Sequence, residues 1–273
     1  MKPDQFTVVE ESKDEASGRH LRIVELNNRR DPAYAIHELG GRFHRADEWH
    51  AVHPFLSDLG DARETTRLMH LHTVELRALD RKEMFGSEIG KSTPWGKADS
   101  GTIYGPGVVS YGTSRHGGFK LDAKANALVH PALRNKGGWY EEDCEWAKVA
   151  WTFQAFFTTM EVNRARKTLV EWLPHEFMAA TGEVLGLADS RKLREEAFAA
   201  ATVDKWVVIS AIGRDDGDVT CIATLGGQRE RHDGPAVEER TFIVPKEEYG
   251  LREFNFVIDE ARHKEVVAPS PSP

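Results

Sequence analysis

Two cysteines, Cys144 and Cys221, are all that the 273 residues carry. That is too few for a disulfide framework and fits a reducing compartment. Long apolar runs are missing as well. None approaches the roughly 18 residues of a membrane helix, and the opening MKPDQFTVVEESKDE has no signal-peptide pattern. The expected setting is therefore cytoplasmic, with no membrane association. Basic charge is also short: the formal net charge of −8 argues against a primarily nucleic-acid-binding surface, so direct nucleic-acid binding is not expected. What remains, 40% apolar and 29% charged, is the composition of a soluble globular chain long enough for one large domain or two small ones.

Against that background one stretch is dense in ionisable and aromatic groups: Thr113–Phe153, TSRHGGFKLDAKANALVHPALRNKGGWYEEDCEWAKVAWTF. The run Tyr140–Phe153 is free of Gly and Pro and predicts a helix. On its wheel Trp146, Val149, Ala150 and Phe153 form an apolar face, with Glu142 and Asp143 on the shoulders. A carboxylate tilted toward a core must find a cation, a donor or a metal, because burying it unpaired costs several kcal/mol. Acids in a first helical turn also answer the helix dipole, worth about 0.3–1 kcal/mol each, which explains their acidity well and their placement only in part.

The paired glycines after His116 let backbone amides approach a ligand closely or form an anion-binding nest. His116, Glu142 and Asp143 are thus expected to converge in one polar pocket as the candidate catalytic residues. Arg115, Gly117, Gly118, Lys120, His130, Trp139 and Tyr140 are the candidate ligand-binding residues. Cys144 is a poor nucleophile, since Asp143 and Glu145 disfavour its thiolate. The cofactor is unassigned, with a divalent metal the one candidate. His50 and His53 would share a helix face but lack a third and fourth ligand, and His70-x-His72 on a helix points its rings apart. Gly86–Ser92 imitates a P-loop but has three residues between its glycines where that motif has four, and it reads as a linker.

Taken in order, Phe6–Glu10 and His20–Leu26 read as strands and Asp47–Leu59 as a helix. Asp61-Ala62-Arg63-Glu64 has capping-box spacing for a helix to about Phe85, with Leu68, Leu71, Leu76 and Leu79 as its buried stripe. Thr102–Tyr104, Val108–Gly112 and Phe119–Leu121 read as an antiparallel meander, and Pro131 opens a short helix that Gly137 closes. Helices follow at Glu161–Trp172, Pro174–Thr181 and Ser190–Ala201. Strands at Trp206–Ile212, Val219–Leu225, Thr241–Val244 and Phe254–Ile258 form a four-stranded antiparallel sheet, and the polar run Gly226–Arg240 is a surface loop. The fold class is α+β, an antiparallel sheet packed with helices, with a helical N-terminal region. The expected domains are a strand and helix region at 1–88, an α+β domain at 89–267 and a disordered tail at 268–273.

Thr93-Pro94-Trp95-Gly96, His116-Gly117-Gly118-Phe119, His130-Pro131, the run Gly137–Trp146, Trp206–Ile212 and Ala223-Thr224-Leu225-Gly226-Gly227 together resemble an uncharacterised bacterial domain family. It is a domain of unknown function associated with proteobacteria, notably rhizobia, and with plasmid and phage genes. The likeness covers roughly Ser92 to Val266 and leaves residues 1–88 outside. It implies an accessory, mobile-element setting and carries no established activity.

Three functions compete. One is an enzyme acting on a small molecule, in which His116 with Glu142 and Asp143 does acid-base work or holds a divalent metal, as in a hydrolase. Another is a non-catalytic acidic binder that engages a basic protein partner, antagonising host defence or mimicking nucleic-acid charge. The third is a structural network locking helix to sheet. Oligomeric state is not legible.

Overall fold

A computed structural model of the chain describes residues 5–27, 31–41, 43–86, 89–229 and 237–266. The expected tail at 268–273, two residues of the expected linker and the middle of the expected polar loop lie outside the described residues. The chain divides into two compact units, Met1–Glu183 and Val184–Pro273. Both are α+β with antiparallel pairing. Among the described residues no helix is long and apolar enough to cross a membrane.

The first unit opens with a meander, β1 (Phe6–Asp14), β2 (Arg19–Leu26), β3 (Tyr34–Leu39) and β4 (Trp49–Leu56), paired in that order. The helix expected at Asp47–Leu59 is instead β4. Pro54 lacks the donor that a helix interior requires, whereas among the described residues β4 pairs only with β3 and as an edge strand tolerates a missing N–H. Helix α1 (Leu59–Ala78) follows, so the N-terminal region is a sheet as well as a helix. Its N-cap is Asp58, whose side chain accepts from the Asp61 N–H at 3.0 Å, not the expected box at Asp61. Ala62, Thr66 and Met69 form its buried row, while Leu76 of the expected stripe is exposed. Leu21, Ile36 and Met69 pack together where this row meets the sheet.

Beyond α1 lie β5 (Lys82–Glu83), the hairpin of β6 (Ser92–Thr93) and β7 (Gly96–Lys97), and then β8 (Ser100–Gly105), β9 (Val108–Gly112) and β10 (Gly117–Leu121). The chain continues through α2 (Ala123–Leu128), β11 (Trp139–Glu141), α3 (Trp146–Thr152), α4 (Thr159–Trp172) and α5 (Pro174–Thr181), which Gly182 closes in the left-handed conformation, φ 77°. The sheet order is β11-β10-β9-β8-β5. The short helix expected after Pro131 is a turn, with the Leu133 N–H donating to the His130 carbonyl at 2.9 Å.

The division between compact units falls after Glu183, not near residue 88, because α1 and α4 are stitched together. The Thr159 N–H donates to Glu75 Oε2 at 2.7 Å, His72 Nδ1 lies 2.7 Å from Thr158 Oγ1, and Arg81 pairs with Glu161 at 2.6 Å.

The second unit contains α6 (Arg191–Ala201), β12 (Trp206–Gly213), β13 (Asp218–Leu225), β14 (Glu239–Pro245), α7 (Lys246–Gly250) and β15 (Lys264–Val266). Its sheet runs β12-β13-β14-β15. The fourth strand is therefore β15, and the segment expected there, Phe254–Ile258, only bridges β12 through Val207 and Val257. Trp206, Val208, Cys221, Ala223, Phe242 and Val244 form the centre of its core.

Candidate functional site

The helix expected from Tyr140 begins only at Trp146. Residues Trp139–Glu141 pair with β10 instead, Lys120 opposite Trp139, Phe119 opposite Tyr140 and Gly118 opposite Glu141. Strand pairing prevails because it buries Tyr140 completely and satisfies its hydroxyl. That hydroxyl donates to Asn126 Oδ1 at 2.7 Å and accepts from the Asn135 N–H at 3.1 Å. Asn135 Oδ1 in turn accepts from the buried Lys148 Nζ at 3.3 Å, and Lys148 pairs with Glu145 at 3.6 Å.

Residues 142–145 form the turn between β11 and α3. Glu145 Oε2 accepts from the Glu141 N–H at 3.1 Å and Glu141 Oε2 from the Asp143 N–H at 2.7 Å, so two of the acids serve the turn's own backbone. Glu142 and Asp143 are exposed and do not sit on the shoulders of a helix core. Cys144 is half-buried; burial first, then Asp143, Glu141 and Glu145, pushes its thiol up, which disfavours a nucleophilic role.

The glycines after His116 are explained by close approach. A Cβ on Gly117 would lie 2.8 Å from Glu142 Oε2, and one on Gly118 would lie 2.1 Å from the Tyr140 carbonyl oxygen and 2.4 Å from the Trp95 ring. The Glu142 N–H donates to the Gly117 carbonyl at 3.1 Å, locking the turn beside β10. His116 Nδ1 thereby comes within 3.6 Å of Glu142 Oε1. The third member of the group is Glu141 where Asp143 was expected: ligand atoms of His116, Glu141 and Glu142 all lie within 4.8 Å of one another.

Glu142 also lines a cleft of about 450 Å³. Its walls include Tyr104, Tyr111, Phe119, Trp146 and Phe157, with Arg164 as a cation of the lining. Arg81 lies behind this wall, 4.2 Å from the Tyr104 ring centroid. Burial pushes Glu161 up, but hydrogen bonds from Arg81 and the Thr158 N–H outweigh it and hold the carboxyl below its ordinary value.

The remaining predicted residues take other places. Lys120 Nζ donates to the Gly137 carbonyl and lies over the Trp139 ring, 5.0 Å from its centroid. Trp139 meets Trp95 edge-on at 5.7 Å. His130 is exposed and its Nδ1 accepts from the Ala132 N–H at 3.2 Å. Arg115 is exposed on the turn before His116, its N–H donating to Thr113 Oγ1 at 3.3 Å. The expected histidine pair His50 and His53 sits on β4, not on a helix.

Sequence reasoning missed Glu141, Arg164 and the aromatic wall. The readable signal was the glycine pair, since two adjacent glycines inside a strand mark a backbone approached by bulky groups.

Residues 88–203 match a family described as a domain of unknown function (DUF7007). No curated protein and no solved structure matches the chain.

Proposed function

We propose that the domain of unknown function at residues 88–203 is a metal-assisted hydrolase of a small molecule, with His116, Glu141 and Glu142 as ligands of a divalent cation beside the aromatic cleft. One observation carries the reading: an imidazole nitrogen and two carboxylate oxygens gather within 4.8 Å of one another where the His116 turn meets the end of β11, next to a cleft of about 450 Å³. Three protein ligands leave coordination positions for water and substrate, the arrangement of a catalytic metal rather than a structural one. A cation held there would lower the pKa of its bound water and supply hydroxide near neutral pH. Tyr104, Phe119 and Phe157 would receive the apolar part of the substrate.

Mn²⁺ titration followed by electron paramagnetic resonance tests the ligand set. Stoichiometric binding is expected, weakened by His116→Ala, Glu141→Gln and Glu142→Gln and unchanged by Asp143→Asn. Wild-type protein that leaves millimolar Mn²⁺ free overturns the reading.

The exposure of Glu142 and Asp143 on one turn favours a second reading, an acidic patch for a basic protein partner. The anti-defence role belongs to this reading and follows from its acidic charge, whereas the mobile-element setting is common to both readings and rests on the resemblance alone. It requires that a basic protein recovered from host lysate be released by salt and lost with Glu142→Lys and Asp143→Lys together.

A further inference from the structure

Outside that cleft, the seam between α1 and the edge strand β1 carries a second constellation. Ser12 Oγ lies 3.0 Å from His70 Nε2, and Ser17 Oγ lies 2.8 Å from His70 Nδ1. Ser12 stands in β1 opposite Leu21, His70 on α1, and Ser17 is buried on the turn between β1 and β2.

That turn orients Ser17. Its N–H donates to Asp14 Oδ1 at 2.6 Å, its hydroxyl donates to the Asp14 carbonyl at 3.5 Å, and its Oγ accepts from the Arg19 N–H at 3.2 Å. In the tautomer that a base at Nε2 requires, Nδ1–H donates to Ser17 Oγ, whose own proton then turns to the Asp14 carbonyl. Nε2 is then left with its lone pair toward the Ser12 hydroxyl, as a general base requires. Burial holds the His70 pKa below the ordinary histidine value, so the ring is a neutral base at pH 7, and the Asp14 charge nearby favours the imidazolium once it forms.

Ser12 and His70 both line a cleft of about 370 Å³, and Arg63 and Arg67 line it too. From this geometry we infer that Ser12 and His70 are the nucleophile and general base of a second site, which takes a small acyl ester. Ser12 Oγ bonds to the ester carbonyl carbon while its proton passes to His70 Nε2. The carbon–oxygen bond to the alcohol then breaks, and the alcohol leaves with that proton. A water molecule next gives a proton to His70 and attacks the acyl carbon; the bond to Ser12 breaks, Oγ recovers the proton, and a carboxylic acid is released. No oxidant or reductant takes part. Arg63 and Arg67, paired with Glu10 and Glu64, are among the cations that line this cleft, and Ser17 is a positioning residue.

The test is labelling of the full chain with a fluorophosphonate, read by intact mass and peptide mapping. One adduct on Ser12 is expected, absent in Ser12→Ala and formed about a hundredfold more slowly in His70→Gln. With p-nitrophenyl acetate as substrate, Ser17→Ala lowers kcat and leaves KM unchanged. The inference is overturned if wild-type Ser12 stays unlabelled under conditions that label a control serine hydrolase, or if His70→Gln is labelled at the wild-type rate. Mapping the adduct on the wild-type chain decides the matter even where a variant fails to fold.

Discussion

The two compact units handle charge differently. In Met1–Glu183 two ion pairs are drawn into the interior, beside exposed ones such as Arg45–Asp47: the side chains of Arg81 and Glu161 are 14% and 20% exposed, and those of Arg19 and Glu38 are 18% exposed each. In Val184–Pro273 the pair Arg214–Asp216 is 44% and 51% exposed, and the core around Phe242 and Val244 is apolar. An apolar core contributes stability through burial, whereas a buried ion pair roughly offsets its own desolvation and acts mainly on which arrangement is adopted. The polar interior of the first unit serves positioning: Glu161 lines the aromatic cleft and is held by Arg81, and Tyr140, Asn126 and Asn135 hold the strand that leads to Glu141 and Glu142. Both candidate sites lie in this unit.

Breaking each kind of interior should sharpen the contrast. Phe242→Ala removes a buried ring from the apolar unit and should cost about 3–5 kcal/mol in urea unfolding. Arg81→Met should cost a similar ~3–5 kcal/mol because it leaves the half-buried Glu161 carboxylate without its cation, and Arg81→Met with Glu161→Gln together should recover part of that loss. A loss under about 1 kcal/mol for Arg81→Met would place this pair with ordinary surface bridges.

Acid should reach the first unit through His37. Burial, with Arg22 next to it, lowers its pKa from 6.5 to about 4. The folded state holds this ring neutral, so the stabilisation is fully present above pH 6.5 and is lost as pH falls from 6.5 toward 4. The loss across that window should be about 3 kcal/mol, and urea midpoints of His37→Phe should depend less on pH there.

Smaller effects follow. Tyr140→Phe leaves Asn126 Oδ1 and the Asn135 N–H without their partner and should cost about 1–3 kcal/mol, read as a lower melting temperature. His116→Ala touches an exposed side chain and should stay within about 0.5 kcal/mol of wild type by the same melt. A large destabilisation by His116→Ala would move that residue from the site to the scaffold.

Local chemistry was legible in the chain as written. The meander through Val108–Gly112, the helix Pro174–Thr181 with its glycine stop and the two long strands after Trp206 follow from composition, turn residues and period, each over a short window. The α+β class follows from these, and so does the importance of the His116-Gly117-Gly118 turn. The Tyr140–Phe153 reading failed at its first half because a helical wheel compares only neighbours along the chain. The pairing of Tyr140 with Phe119 and its hydrogen bond to Asn126 join residues far apart in sequence, and together they outweigh a weak helical preference. That exchange moved the partner of Glu142 from Asp143 to Glu141, since a strand and turn aim successive side chains differently from a helix. Asp14, Ser17 and His70 show the same limit: the sequence by itself determined that His70 and His72 point apart on a helix, while only the tertiary structure decided that β1 and its turn set two serine hydroxyls on the His70 ring, because which strand a helix packs beside depends on contacts that no local pattern encodes.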